Sequence, residues 1–295
     1  MALAGRIPPA MMFPAGRSEL RTRYLDLASG IRVRVVECGA PGAPMIVLLP
    51  GWGCSVYVFR ENLAPLAAAG FHAVAVDLKG HGLSDKPISR GEYRLESMQI
   101  HVREILDALD ADDVVLVGLS MGAALAAQIA AAAQGHVRSV VLGSPVGYSG
   151  IPALWALKGV TASPVVSLLP RIATRQVIKS ILEVVNGKLR KISPRDVDEY
   201  WAPTQFPEFT IAMRQLLHEF TWDGGVPAIG VPALLISGSQ DRLLPRALAR
   251  QYAHKIHGVR HLEIAGAGHV VYDEAPAAVN EAIIEFVTGL YSKGQ

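Results

Sequence analysis

The sequence predicts an α/β fold, in which a mostly parallel sheet carries helices on both faces and an inserted, mainly helical segment. Short apolar runs alternate with stretches of helical periodicity, and most of these runs end at glycine, aspartate or serine residues typical of turns. Between about residues 147 and 225 the alternation stops, and prolines separate helix-like pieces. We therefore expect residues 1–146 and 226–295 to form two parts of one core, with residues 147–225 inserted as a cap or lid.

The strands follow from two kinds of pattern. Residues 31–37 begin with alternating apolar and charged side chains, which is typical of a half-exposed strand. Continuous apolar runs indicate strands that are buried on both faces. These runs cover residues 45–49, 73–76, 114–117, 139–142 and 233–236, with a shorter candidate at 261–264.

Helices are predicted between the strands at residues 59–69, 95–109 and 277–290. Pro65 should split the first of them, because proline interrupts a helix interior. In the insertion, the side chains of Ile178, Ile181, Leu182, Val185 and Leu189 share one helical face. An insertion above the carboxyl ends of the strands would cover the place where open α/β sheets bind ligands.

Charge, cysteine spacing and proline positions indicate which partners and locations are not expected. The net charge is only +2, without a long lysine or arginine run, so nucleic acid is not expected as a partner. Cys38 and Cys54 lack metal-ligand spacing and are expected to be free thiols, although one bridge between them stays open. Prolines break the apolar N-terminus, and neither a secretory signal nor a transmembrane segment is expected. A cytoplasmic protein is predicted, with peripheral membrane contact and the oligomeric state left open.

The strongest chemical signal is the sequence Gly-Leu-Ser-Met-Gly at residues 118–122. It follows a buried strand and opens an alanine-rich helical run, which is the context of a nucleophile elbow. The glycines allow the backbone to turn sharply around Ser120. The sequence therefore predicts Ser120 as a nucleophile.

A serine needs a general base, and the base needs an acid that orients it. His269 lies in a loop of small residues after the strand candidate 261–264, and Asp241 follows the strand 233–236. We predict these two as base and acid. His81 is a rival base in a glycine-rich loop, although a structural turn histidine is the stronger interpretation, and Asp223 is a weaker candidate acid because it precedes its strand.

Two backbone amides are expected to stabilise a tetrahedral intermediate. Met121, directly after the nucleophile, should supply one amide. Trp52, in the Pro-Gly-Trp-Gly loop after residues 45–49, should supply the other.

With these motifs, the chain resembles the α/β-hydrolase superfamily from about residue 31 to residue 287. Residues 48–53 look like the family's oxyanion loop and residues 77–84 like its glycine-rich loop. Pro50 stands where the family often has histidine, which affects the path of the loop and not its backbone donors. Ser120, where an aspartate would stand in epoxide hydrolases and haloalkane dehalogenases, disfavours those two reactions.

The resemblance implies hydrolysis of a carboxylic ester through an acyl-enzyme on Ser120, without cofactor or metal. The large apolar side chains of the insertion predict that the ester is small to medium and apolar. Trp52, Tyr148 and Trp155 are the candidate substrate-binding side chains. The same motifs leave open a lactonase, an amidase, a C–C bond hydrolase or a perhydrolase. They also leave open a ligand receptor with little turnover, or a scaffold with a fortuitous triad.

Overall fold

The computed structural model describes residues 7–132, 136–146, 173–221, 225–244 and 246–292. Its sheet has eight strands in the order β1-β2-β4-β3-β5-β6-β7-β8. Strands β1 and β2, and β2 and β4, pair antiparallel, whereas all remaining neighbours are parallel. The strands are β1 (Arg21–Asp26), β2 (Arg32–Cys38), β3 (Met45–Leu49), β4 (His72–Val76), β5 (Val114–Leu119), β6 (Val137–Gly143), β7 (Ala233–Gly238) and β8 (Arg260–Ile264). The predicted α/β class and mostly parallel sheet are confirmed.

The central strands are buried because helices cover both faces of the sheet. Side chains at alternate positions of β3 enter two different apolar layers. Val47 and Leu49 face one layer, and Ile46 and Leu48 face the other. The first layer contains α2 (Leu95–Ala108) and α3 (Met121–Ala131), and the second contains α1 (Leu63–Ala68) and α9 (Pro276–Ser292).

Two predictions about helix boundaries were wrong. Pro65 does not split a helix, because α1 begins at Leu63 and Pro65 therefore lies in its first turn, where an amide needs no intrahelical partner. Helix α4 (Arg175–Val185) ends before Leu189, which therefore does not share the face of Ile178. Asn186 is extended and caps α4, with its side-chain amide donating to the carbonyl oxygen of Leu182.

The described part of the insertion is helical and lies between β6 and β7. It contains α4, α5 (Pro194–Trp201), a short 3₁₀ turn at Ala202–Gln205, and α6 (Pro207–Glu219). Ser193 begins α5 through a reciprocal capping box with Asp196. Helix α7 (Arg246–Lys255) follows β7, and α8 (Val271–Glu274) follows β8. The division of the chain into core and cap stays a prediction.

Across the described residues, every helix is too short or too polar to cross a bilayer.

Candidate active site

Ser120 sits on a strained turn between β5 and α3. Its φ of 54° and ψ of −112° lie outside the regions that non-glycine residues usually adopt. The turn is possible because a side chain at Gly118 or Gly122 would overlap neighbouring backbone atoms, and both positions lack one. Tyr272 supports the turn from below, since its hydroxyl donates to the carbonyl oxygen of Gly118 at 3.0 Å.

The structure brings Ser120, His269 and Asp241 into one hydrogen-bonded chain, although 149 and 28 positions separate them in sequence. Nε2 of His269 lies 2.8 Å from the hydroxyl oxygen of Ser120. Nδ1 of His269 lies 2.8 Å from Oδ2 of Asp241. All three residues follow carboxyl ends of parallel strands, which meet at one edge of the sheet.

Asp241 is fixed by backbone groups of its own loop. Its Oδ1 accepts hydrogen bonds from the amides of Leu243 at 2.9 Å and Leu244 at 2.8 Å. Oδ2 is therefore left to face His269. A carboxylate in this position favours the imidazole tautomer with its proton on Nδ1, so that Nε2 can accept the serine proton.

Met121 and Trp52, the residues predicted to donate the two amides, lie in segments next to Ser120. Met121 is the first residue of α3, so its N–H has no carbonyl one turn earlier and lies at the positive end of the helix. Trp52 follows Gly51, whose backbone is so close that an added Cβ would lie 3.2 Å from Cβ of Ser120. Both predicted donors are thus carried by segments that lie against Ser120.

A buried carboxylate organises the loops behind the Trp52 segment. Oδ1 of Asp77 accepts from the amide of Val56 at 2.8 Å. Its Oδ2 accepts from the amide of Leu83 and from Nε of Arg34, at 2.8 and 2.7 Å. Arg34 and Asp77 are both almost fully buried, so the pair holds the glycine-rich loop and the start of the 3₁₀ turn Val56–Phe59 together.

Of the three candidate substrate-binding residues, Trp52 is the one that lies among the described residues. Trp52 is 40% exposed, and its indole nitrogen donates to the carbonyl oxygen of Met213 in α6. Tyr148 and Trp155 lie outside the described residues. Trp201 is buried under the guanidinium of Arg175 and donates to the carbonyl oxygen of Ala173, so it belongs to the interior of the helical segment.

The rival base does not take part in this arrangement. His81 is fully buried, and its Nδ1 lies 3.1 Å from the carbonyl oxygen of Lys79. Burial lowers the pKa of His81 to about 4, which keeps its ring neutral. The weaker acid candidate, Asp223, lies outside the described residues. Both cysteines are free, and burial raises the pKa of the Cys54 thiol to about 12.

Sequence reasoning missed the groups that hold the His269 loop. Glu274 accepts backbone hydrogen bonds from the amides of Gly268 and Val270, on either side of the histidine. Asp273 pairs with Arg60 of the core and with Arg190 of the helical insertion. Asp273 and Glu274 lie four and five positions after His269, which was only a weak signal for a structural role, because acidic side chains on a helix usually face solvent.

Comparison with known proteins identifies the family. Residues 44–276 match the family model described as alpha/beta hydrolase fold. The chain therefore belongs to the α/β-hydrolase fold family, and the resemblance seen in its motifs is confirmed.

Relatives and solved structures cover nearly the whole chain. Epoxide hydrolase A of Mycobacterium tuberculosis is 28% identical over an alignment of 316 positions, which covers 91% of this chain and 98% of the relative. The carboxylesterase CesB of Bacillus subtilis has a TM-score of 0.72 at 19% identity and covers 95% of both chains. An enol-lactonase of Burkholderia xenovorans has a TM-score of 0.70 at 23% identity, over 90% of this chain and all of that one. Family membership and the relative from Mycobacterium tuberculosis support a hydrolytic function, and the two solved structures support the fold.

Proposed function

We propose that this protein is a serine hydrolase that cleaves small to medium apolar carboxylic esters through an acyl-enzyme on Ser120. The observation that carries the proposal is the continuous hydrogen-bonded chain from Ser120 through His269 to Asp241. A serine that contacts a base, which in turn contacts an orienting acid, is the recurring arrangement for activating a hydroxyl nucleophile.

The nucleophile itself argues for an acyl substrate over an epoxide. Attack of a carboxylate on an epoxide gives an ester, which water can hydrolyse in a second step. Attack of the Ser120 hydroxyl on an epoxide would give an alkyl ether, which has no carbonyl for water to attack. A serine therefore suits carbonyl substrates, although a relative that aligns with 91% of the chain is an epoxide hydrolase.

In the proposed reaction, Nε2 of His269 takes the proton of Ser120 as the serine oxygen bonds to the ester carbonyl carbon. The amides of Met121 and Trp52 stabilise the resulting oxyanion. The carbon–oxygen bond to the alcohol then breaks, and the imidazolium returns its proton to the departing oxygen. Water, deprotonated by His269, attacks the acyl-enzyme; the carboxylic acid leaves and Ser120 regains its proton. Asp241 stabilises the imidazolium that forms in both halves.

The apolar character of the substrate is inferred from Trp52 and from the insertion. Trp52 is 40% exposed and follows Gly51, which lies against Ser120, and its indole nitrogen is already engaged with the carbonyl oxygen of Met213. An aromatic wall of this kind favours apolar acyl groups, because each buried methylene contributes about 0.8 kcal/mol. We expect kcat/KM to rise by about fourfold at most for each added methylene, until the pocket is full.

The test combines a covalent probe with an ester series. A fluorophosphonate should label wild-type protein on Ser120, and p-nitrophenyl esters should be turned over many times for each labelled site. Ser120→Ala should abolish both. Ser139→Ala is the matched control, since Ser139 is a buried serine of β6 whose hydroxyl has no partner among the described residues.

The outcome of the series decides the substrate class. A rise in kcat/KM from acetate to butyrate or hexanoate would support the apolar ester proposal. Faster cleavage of acetyl esters, amides or peptides would contradict the apolar ester proposal. A preference for lactones would leave the serine mechanism unchanged and make the substrate a cyclic ester. Labelling of Ser120 by the probe, combined with a single slow turnover of esters by unlabelled protein, would favour a receptor.

A further inference from the structure

The backbone on both sides of His269 is held by one buried carboxylate. Glu274 is 5% exposed, and both of its oxygens accept from the amide of Gly268 at 3.0 Å. Oε1 also accepts from the amide of Val270 at 3.3 Å. The residues directly before and after the histidine are thus tied to the same side chain.

The same carboxylate reaches into the helical insertion. Its Oε2 accepts from the amide of Gly187 at 2.6 Å, two residues beyond the end of α4. The peptide amide of His269 donates to the carbonyl oxygen of Val185 at 2.9 Å, and the amide of Lys188 donates to the carbonyl oxygen of Gly266 at 3.1 Å. The Val185–Lys188 segment therefore forms one side of the histidine loop's support.

We propose that Glu274 is a positioning residue, which with the Val185–Lys188 segment holds His269 between Ser120 and Asp241. This inference rests on the proposed function, and it adds the insertion to the groups that orient the base. A carboxylate suits the position because it can accept hydrogen bonds from the amides of Gly268, Gly187 and Val270 at the same time. The pKa of Glu274 is raised above its ordinary value, because burial, together with the neighbouring Asp273 carboxylate, outweighs the hydrogen bonds from the amides of Gly268, Gly187 and Val270.

The packing of the two segments leaves no space for adjustment. A Cβ at Gly187 would overlap the backbone of Gly266, and a Cβ at Gly268 would overlap the backbone of Gly187. A substitution in the insertion should therefore displace the histidine loop, although Gly187 is 82 positions away from His269 in sequence.

The experiment compares Glu274→Gln and Gly187→Ala with two matched controls. Glutamine keeps the shape but turns one oxygen into a donor that faces amide donors. Glu285→Gln makes the same chemical change at an exposed residue of α9 that pairs with Arg260. Gly289→Ala adds a Cβ in the same helix, where nothing lies within 4 Å.

For both test variants we expect kcat for p-nitrophenyl butyrate, per fluorophosphonate-titrated site, to fall about 10- to 100-fold, while KM changes less than about twofold. Misplacement of the base affects proton transfer and leaves substrate binding intact. The controls should match wild type. If kcat per titrated site stays within about twofold of wild type in Glu274→Gln, the proposal is overturned, even if the melting temperature falls. If Glu274→Gln does not fold, Glu274→Asp, which is one methylene shorter, takes its place with the same expectation.

A second readout separates this proposal from the proposed function. The proton shared by His269 Nδ1 and Asp241 should give a far-downfield ¹H resonance, whatever the substrate is. Glu274→Gln should shift or remove that resonance, and Glu285→Gln should not. A resonance unchanged by Glu274→Gln would overturn the positioning role. Failure of wild type to label or to cleave esters would instead overturn the proposed function.

Discussion

Replacing Asp241 by asparagine should invert the proton pattern of the active site. Oδ1 of Asp241 accepts from the amides of Leu243 and Leu244, so the amide oxygen of an asparagine has to stay at that position. The NH₂ group then faces Nδ1 of His269, which must accept a hydrogen bond. The ring proton moves to Nε2, and Nε2 can no longer take the proton of Ser120.

The size of the loss follows from the alternative rotamer. Activity returns only when the side-chain amide flips, and flipping leaves the two backbone amides facing an NH₂ group. Each unsatisfied donor costs about 1–3 kcal/mol, so the active rotamer lies about 2–6 kcal/mol above the inactive one. We therefore expect Asp241→Asn to lower kcat/KM by about 30-fold to 10⁴-fold.

The assay is steady-state hydrolysis of p-nitrophenyl butyrate, with thermal unfolding of each variant. The matched control is Asp26→Asn, since Asp26 is an exposed aspartate of β1 whose ion-pair partner, Arg32, is 3.8 Å away. The control should keep wild-type activity. A loss of less than about tenfold in Asp241→Asn would refute the idea that Asp241 fixes the tautomer of His269.

Three further predictions concern buried or partly buried groups. His81 stays neutral in the fold with a pKa of about 4 against an ordinary 6.5, so unfolded chains bind the extra proton. The free energy of unfolding should thus fall by about 3 kcal/mol from pH 6.5 to pH 4, and His81→Gln should flatten that slope in urea titrations. Cys54, whose pKa is about 12, should resist iodoacetamide at pH 8 until the chain unfolds, while Cys38 reacts, as mass spectrometry would show. Arg34→Met should cost about 3–5 kcal/mol, because Asp77 stays buried without its partner; a urea-derived cost below about 1 kcal/mol would contradict this.

The sequence was most informative where the chain is apolar on both faces. The run at residues 45–49 coincides with β3, because a strand covered by helices on both sides has no polar positions. Ser120 and Asp241 could be selected because each follows such a run, and parallel strands end at one edge of the sheet. His269 follows the mostly exposed strand β8 and could be selected from its loop of small residues. Strand β1 was missed, because all but one of its residues are exposed and three of its six residues are charged.

Long-range pairing of polar groups could not be predicted. Arg60 and Asp273 are 213 positions apart, and Arg190 and Asp273 are 83 positions apart. Charged residues at such separations look like ordinary surface charges, and only the folded backbone shows that they are buried together. Glu274 was missed for a different reason, because its partners are backbone amides, which every non-proline residue has and which the sequence therefore does not mark.

These polar groups limit how the helical insertion can move. The Val185–Lys188 segment is joined to the histidine loop by two backbone hydrogen bonds and to the Glu274 side chain by a third bond. The adjacent Arg190 pairs with Asp273. Lifting this segment would remove the support of His269 and leave Asp273 and Glu274 with fewer partners in a buried site. We therefore expect this segment to stay in place when substrate enters, and any opening to involve other parts of the insertion. Hydrogen exchange can test this, because the amides of Gly187 and His269 should exchange as slowly as those of the central strands. If both exchanged within seconds while β5 stayed protected, the insertion would be detaching as a whole.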